Sequence, residues 1–317
     1  MKNTPPLAGV EIGGTKIQVS VGSASGKVHE TRRFAVERQH GAAGIQKQIL
    51  DGLKQLQPFS SIGAAFGGPV DWNTGHIVKS HQISGWDRFD LAGYLEKEFH
   101  VPVRVENDAN TAALAEAVCG AGRGHNPVFY MTVGSGIGGG LIVDGKIYHG
   151  ASPGEAEIGN LRIPLPNHPP AQWPALEQLC AGWSIDARLR HAAETSPDGK
   201  LAELLKTHPQ SSPEAACLLA ARNLGDPQTL EIWRDLTLHL ALGLSHAIHL
   251  FHPQILIIGG GISLLGQPLL DDIRRWTNDL VMDVFRGSYQ ISLPKLGEAV
   301  MPTGALLLAA QAIGLEK

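Results

Sequence analysis

Leu7-Ala8-Gly9-Val10-Glu11-Ile12-Gly13-Gly14-Thr15-Lys16 runs on into Ile17-Gln18-Val19-Ser20-Val21 and then a Gly26-Lys27 turn. The stretch reads as a β-run, a glycine bend and a second β-run closed by a hairpin turn. The chain writes the figure again at Val128-Phe129-Tyr130-Met131-Thr132-Val133-Gly134-Ser135-Gly136-Ile137-Gly138-Gly139-Gly140, followed by Leu141-Ile142-Val143 and an Asp144-Gly145-Lys146 turn. Glycines bend the backbone tightly and let an anion approach the peptide N–H groups. One such bend in each half predicts two similar lobes that grip the phosphates of one nucleotide.

Outward from the first bend, Ile45, Ile49, Leu53 and Leu56 share one face of a helix over Gly44 to Leu56. Ile62 to Phe66 predicts a buried strand ending at Gly67-Gly68-Pro69. Leu91 to Phe99 predicts a short helix, Val101 to Val105 a strand and Ala109 to Cys119 a helix. These make a smaller N-terminal α/β lobe over 1–118, with an apolar C-terminal helix in 303–317 packing back on it. The larger lobe, 119–302, opens with the second glycine figure. A loop with five prolines follows, Pro164 to Pro174, and then helices from Leu176 to about His252. Ile232 to Leu250 is apolar on most sides and predicts a buried helix. Ile255 to Ile258 is a strand ending at Gly259-Gly260-Gly261, and Leu269 to Val284 is helical. Strands and helices alternating twice in this way predict two α/β lobes with a cleft between them.

Bulk properties remove several function classes. The formal net charge is -4 over 317 residues, so no basic field points to nucleic acid. No stretch is long enough to span a bilayer, and Met1 to Pro6 carries no apolar signal core, so no membrane partner is expected. Cys119, Cys180 and Cys217 are too far apart for a zinc pair or a disulfide framework, which fits a reducing, cytoplasmic setting.

Glu11-Ile12-Gly13-Gly14-Thr15-Lys16, Glu106-Asn107-Asp108-Ala109-Asn110, Gly134-Ser135-Gly136-Ile137-Gly138-Gly139-Gly140 and Ile258-Gly259-Gly260-Gly261-Ile262-Ser263 follow in the order found in ROK-family sugar kinases. The chain resembles that family over nearly its whole length. The resemblance implies the two-lobed actin-like ATPase fold, a duplicated ribonuclease H-like α/β lobe. It implies ATP and Mg²⁺ as cofactors, a free hexose as partner and a homodimer. Asp108 would be the catalytic base, and Gly68, Asn107, Asp108, Glu157, Asn160 and Glu177 would bind the sugar. Gly13, Gly14, Thr15, Lys16, Gly134, Ser135, Gly136, Gly259, Gly260 and Gly261 would bind the nucleotide. Glu11 would hold Mg²⁺, directly or through water.

The residues themselves leave alternatives beside several of these roles. Asp108 follows a strand and opens a helix, so Asn107 or Asp108 also reads as an N-cap. Glu177 also reads as an exposed carboxylate at a helix start. Glu11 as a mere inward charge in a hairpin is unattractive, because an unpaired carboxylate in a β-core is costly. Gly134, Gly136 and Gly139 fit G-x-G-x-x-G, with Glu155 or Glu157 roughly 20 residues on, but that fingerprint needs a helix directly after the glycines. Leu141 to Lys146 is a strand and a turn, so the dinucleotide reading is rejected. A Walker P-loop is absent as well.

The chain departs from the family in four places. Glu11 stands where Asp is usual, and Asn160 stands where His commonly binds zinc. The cysteines that complete such a zinc site are replaced by Pro164-Leu165-Pro166-Asn167-His168-Pro169-Pro170, leaving His168 a solvated surface group. A structural zinc takes four ligands, so no zinc is expected. Gln82, in the loop Ser80 to Trp86, replaces a more usual Asn, and Trp86 reads as packing. The expected activity is transfer of the γ-phosphoryl of ATP to the 6-hydroxyl of glucose. The alternatives are a ROK fructokinase, an N-acetyl-amino-sugar kinase or a sugar-responsive ROK regulator. Regulators carry a winged-helix domain ahead of the first strand, where this chain has only Met1 to Pro6.

Overall fold

The structure, a computed structural model, describes residues 5–80, 83–151, 154, 156–209 and 212–315. The first glycine figure forms strands β1 (Leu7–Ile12) and β2 (Lys16–Gly22), which pair antiparallel, and β3 (Val28–Ala35) continues the meander. Helix α1 (Gly41–Lys54) turns Ile45, Ile49 and Leu53 inward, as the spacing predicts. Strand β4 (Ile62–Phe66) is wholly buried and runs parallel to β1. Next come β5 (Val70–Asp71), β6 (His76–Ile77) and β7 (Phe89–Asp90), a small antiparallel sheet. Strands of two residues are too short to show an alternating pattern, so the sequence reading has no trace of them.

Helix α2 (Leu91–Phe99) starts where Asp90 accepts a hydrogen bond from the Gly93 amide. Strand β8 (Val103–Asn107) begins two residues later than expected, because Pro102 has no N–H for a ladder. It runs parallel to β4 and leads straight into α3 (Asp108–Cys119).

The second glycine figure forms β9 (Val128–Val133), β10 (Ile137–Val143) and β11 (Lys146–Ile147). The proline loop holds a single 3-10 turn at Pro170–Gln172. Then come α4 (Leu176–Cys180), α5 (Gly182–Thr195), α6 (Lys200–Lys206), α7 (Leu218–Asn223) and α8 (Pro227–Phe251). Helix α8 starts five residues before the predicted Ile232. Asp226 caps it through the Thr229 amide and hydroxyl, and Pro227 sits at the first position, where no N–H is needed. Its far end is not buried as predicted, since Leu250 is 72% exposed.

Strand β12 (Ile255–Gly259) lies parallel to β9 and to β13 (Gln290–Ser292). Helix α9 (Gln267–Leu280) stops short of the predicted Val284. Val281 leaves the helix in an extended conformation that keeps its side chain buried. The last helix is α10 (Val300–Ala312).

The two large sheets have orders β3-β2-β1-β4-β8 and β11-β10-β9-β12-β13. Numbered within each sheet, both are 3-2-1-4-5, so the duplication seen in the glycine figures extends to the topology. By contacts the chain forms two compact units. One holds Met1–Gly124, Gly140–Glu155 and Lys295–Lys317, and the other holds His125–Gly139 and Ala156–Pro294.

Within the first unit, α10 lies on the sheet at backbone contact. A side chain at Gly63 in β4 would collide with the Ala305 carbonyl, and Ser61 Oγ donates to the Ala309 carbonyl at 2.7 Å. Helix α3 carries a fully buried carboxylate, Glu116. Its Oε2 accepts the Ala121 amide at 2.7 Å, and its Oε1 accepts the Lys295 and Leu296 amides at 3.0 and 2.8 Å. Ala121 lies just before the chain leaves this unit, and Lys295 is where it returns. Among the described residues, no helix is long and apolar enough to cross a membrane.

Candidate active site

In the first unit the β8–α3 junction gathers the sequence-predicted residues. Asn107 is the N-cap of α3: its Oδ1 accepts the Ala109 amide at 2.8 Å and the Asn110 amide at 3.4 Å. Its Nδ2 donates to the Gly68 carbonyl at 3.0 Å, tying the Gly67-Gly68 loop to the helix start. Asp108 is therefore not the cap but the first helical residue, with Oδ1 2.8 Å from the Ala109 amide nitrogen. A carboxylate here is favoured by the helix dipole. A Cβ on Gly67 would stand 3.6 Å from Asp108 Oδ2, 3.5 Å from the Ile12 carbonyl and 3.9 Å from Gly13 Cα. The Asp108 carboxylate, the Gly67-Gly68 loop and the first glycine bend thus meet at one place.

That bend is closed by the Gly13 amide donating to the Lys16 carbonyl at 3.1 Å. Gly14 is half-buried, while Thr15 and Lys16 are exposed. Glu11 is not the unpaired charge the sequence argument weighed. Its Oε1 is 3.5 Å from Lys16 Nζ, and its Oε2 accepts from Gln18 Nε2. Gln18 is fixed in turn by Arg33 Nε at 2.6 Å. The cost of burying the charge is thus met locally, and a partnered hairpin charge is a sound reading of Glu11 beside the metal role.

In the second unit the Gly134 amide donates to the Gly136 carbonyl at 2.9 Å, leaving Ser135 exposed at the tip. Glu177 sits in the first turn of α4, but it is half-buried rather than exposed. Its Oε2 accepts the Ile137 amide at 2.7 Å, so this carboxylate belongs to the glycine bend. Burial pushes the thiol of Cys180, three residues on, up to about 12, so it is no nucleophile at neutral pH.

Glu157 and Asn160 are both exposed, and Asn160 Nδ2 donates to Glu157 Oε2 at 3.2 Å. Of the three late glycines, Gly259 packs under the Tyr130 hydroxyl, Gly260 needs its positive φ of 79°, and Gly261 is exposed with open space around it. His168 is exposed, and Trp86 is buried edge-on against Phe66 and Phe89. Gln82, His81 and Glu155 lie outside the described residues.

Ala156, just before Glu157, has a φ of 54°, a left-handed conformation that costs a residue bearing a Cβ about 1–2 kcal/mol. Ala156→Gly relieves this at the expense of a freer unfolded chain, so a net gain of about 1 kcal/mol is expected. A thermal melt should move up by about 2–4 °C, and an unchanged or lower midpoint would show that the strain is absent.

Three further residues went unnoticed as site components. Glu106, 2% exposed, accepts the Asn107 amide at 2.9 Å and Asn110 Nδ2 at 3.2 Å through Oε1. Its Oε2 is 2.6 Å from His149 Nε2. The His149 ring stacks on Trp72, centroids 4.0 Å apart and planes 19° from parallel. Glu106 stood inside a quoted motif, but a single histidine after a hairpin carries no signal of its own.

The chain is 31% identical to a glucokinase of Thermotoga maritima over 318 residues, covering 97% of this chain and 98% of that one. It is 28% identical to a glucokinase of Halalkalibacterium halodurans over 319 residues, covering 98% and 96%. Among solved structures it matches a ROK family glucokinase from Streptomyces griseus in complex with glucose and AMPPNP. There the TM-score is 0.80 and the identity 31%, over 96% of this chain and 99% of that chain. The fold is the α/β actin-like ATPase fold of ROK sugar kinases. A family model described as ROK family matches residues 7–312, and the chain belongs to that family.

Proposed function

We propose that this chain is an ATP-dependent hexose kinase whose acceptor is the 6-hydroxyl of glucose. The observation that carries the reading is the meeting of the Asp108 carboxylate with the Gly13 bend and the Gly67-Gly68 loop at the start of α3. Similarity to two glucokinases over almost the full chain, and to a glucokinase solved with glucose and AMPPNP, supports it.

A sugar hydroxyl is a poor nucleophile, and a carboxylate that takes its proton as the bond to phosphorus forms lowers the barrier. Asp108 is the group for that step. Asn107, with Gly68 held beside it, orients the hydroxyl, and Glu157, Asn160 and Glu177 bind the other hydroxyls. Backbone N–H groups of the bends at Gly13 to Lys16, Gly134 to Gly136 and Gly259 to Gly261 receive the nucleotide.

Magnesium keeps most of its water and needs only one or two carboxylates besides the phosphates. Glu11 fits such a loose role, since Lys16 and Gln18 already engage its two oxygens. When bound, Mg²⁺ neutralises charge on the transferring phosphoryl group. Among the described residues no group of three His, Cys, Asp or Glu can hold an ion, and Asn160 is engaged with Glu157. The reading includes a zinc-free chain, a homodimer and a cytoplasmic enzyme.

A coupled assay of free sugars with ATP·Mg²⁺, run beside elemental analysis of protein purified without chelator, tests this. Glucose should give the highest kcat/KM, with zinc far below one per chain. Faster turnover of fructose or an N-acetyl-amino sugar would transfer the reading to those kinases. Absence of turnover with every hexose, using ATP or polyphosphate as donor, would defeat it.

A further inference from the structure

We propose that His149 is a positioning residue for Asn107 and Asp108, acting through the buried Glu106 carboxylate; the inference rests on the kinase reading above. A carboxylate only accepts hydrogen bonds, so the imidazole Nε2 donates to Glu106 Oε2 across 2.6 Å. The other Glu106 oxygen holds the Asn107 amide and the Asn110 side chain, two groups of the first turn of α3. Asn107 in turn holds the Gly68 carbonyl. Four residues further along the chain, just past β5, Trp72 lies flat against the His149 ring and fixes its plane.

The contacts therefore close a ring: Trp72, His149, Glu106, Asn107 and Gly68, with Asp108 next to Asn107 on its rim. Every member lies in the first unit. His149 follows β11, and the strand before it, β10, rests on α3: a side chain at Gly140 would press on Ala113 and on the Ala109 carbonyl. The histidine thus joins a third piece of chain to a junction otherwise built from β8, α3 and the Gly67-Gly68 loop.

Removing the donor leaves a 2% exposed carboxylate with one oxygen unpaired. A buried unpaired charge is strongly unfavourable, and the side chain will shift to escape it. That shift releases the Asn107 amide and the Asn110 side chain together. A displacement on the order of 1 Å at reacting groups is enough for a rate loss of about 100-fold.

The test uses the full chain with three proteins: wild type, His149→Phe and His149→Gln. Phenylalanine keeps the stack on Trp72 without a donor. Glutamine restores an N–H toward Glu106 without the ring. Wild type is assayed first, and failure to phosphorylate any hexose would defeat the kinase reading whatever the variants do. With an active wild type, His149→Phe should lower kcat by roughly 10- to 100-fold. It should weaken hexose binding by calorimetry and leave the KM for ATP unchanged. His149→Gln should recover most of the loss. A His149→Phe protein with a lower melting temperature but wild-type kcat and hexose affinity per folded molecule would make the histidine merely structural. His149→Gln as impaired as His149→Phe would equally overturn the inference. If His149→Phe does not fold, wild-type kcat and hexose affinity in His149→Ala decide against it and a loss rescued by glutamine decides for it.

Discussion

Asp108→Asn is expected to lower turnover by roughly 10²–10⁴-fold, the usual contribution of a general base, while leaving the fold intact. Asparagine keeps the size of the side chain and one accepting oxygen but has no basic site for the hydroxyl proton. The helix start does not depend on Asp108, because the cap is Asn107, whose Oδ1 takes the Ala109 amide at 2.8 Å. Hexose affinity should change far less than kcat, since Asn107 and the Gly68 loop remain tied together. The measurement is kcat, hexose Kd by calorimetry and melting temperature on one preparation. Turnover close to wild type would remove Asp108 from the chemistry. A loss matched by unfolding would make its role structural.

Glu116→Ala should cost about 3–5 kcal/mol of stability. It strands the amides of Ala121, Lys295 and Leu296, each worth ~1–3 kcal/mol when buried without a partner, with part of the loss recovered by water. Glu116→Gln keeps the volume but turns an NH₂ group toward backbone donors, so it should fall between alanine and wild type. Denaturant unfolding followed by circular dichroism reads both. An alanine variant within about 1 kcal/mol of wild type, the scale of an ordinary substitution, would show that water replaces the carboxylate fully.

The elements legible in the sequence were those with a strong internal period or a hard stop. Ile45, Ile49 and Leu53 marked the buried face of α1, and Ile62 to Phe66 was bounded as β4 because Gly67-Gly68-Pro69 ends it. The ends of α8 and α9 were misjudged for opposite reasons. A capping aspartate and a proline extended α8 beyond its apolar stripe, whereas Val281 ended α9 because its buried place is reached in extended form. The site was legible as a set of motifs but not as a set of partners. Glu177 read as a sugar ligand or, from its residues alone, as an exposed helix-start charge; its hydrogen bond from the Ile137 amide, 40 positions away, was not legible. His149 and Trp72 were silent, since a ring stack between residues 77 apart leaves no local pattern.

The docking of α10 sets an order on the making of this protein. β1 and β4 leave the ribosome early, yet the helix that covers one face of them is translated after every other element of the fold. Until Val300–Ala312 has emerged, Gly63 lacks the helix backbone that it packs against and the apolar side chains beside it stay wet. Between the making of β4 and the making of α10 a nascent chain of this design carries a sticky sheet face uncovered, the kind of surface on which chaperones act and aggregation begins. Completion of the first unit therefore waits for α10, made long after the strands that it covers.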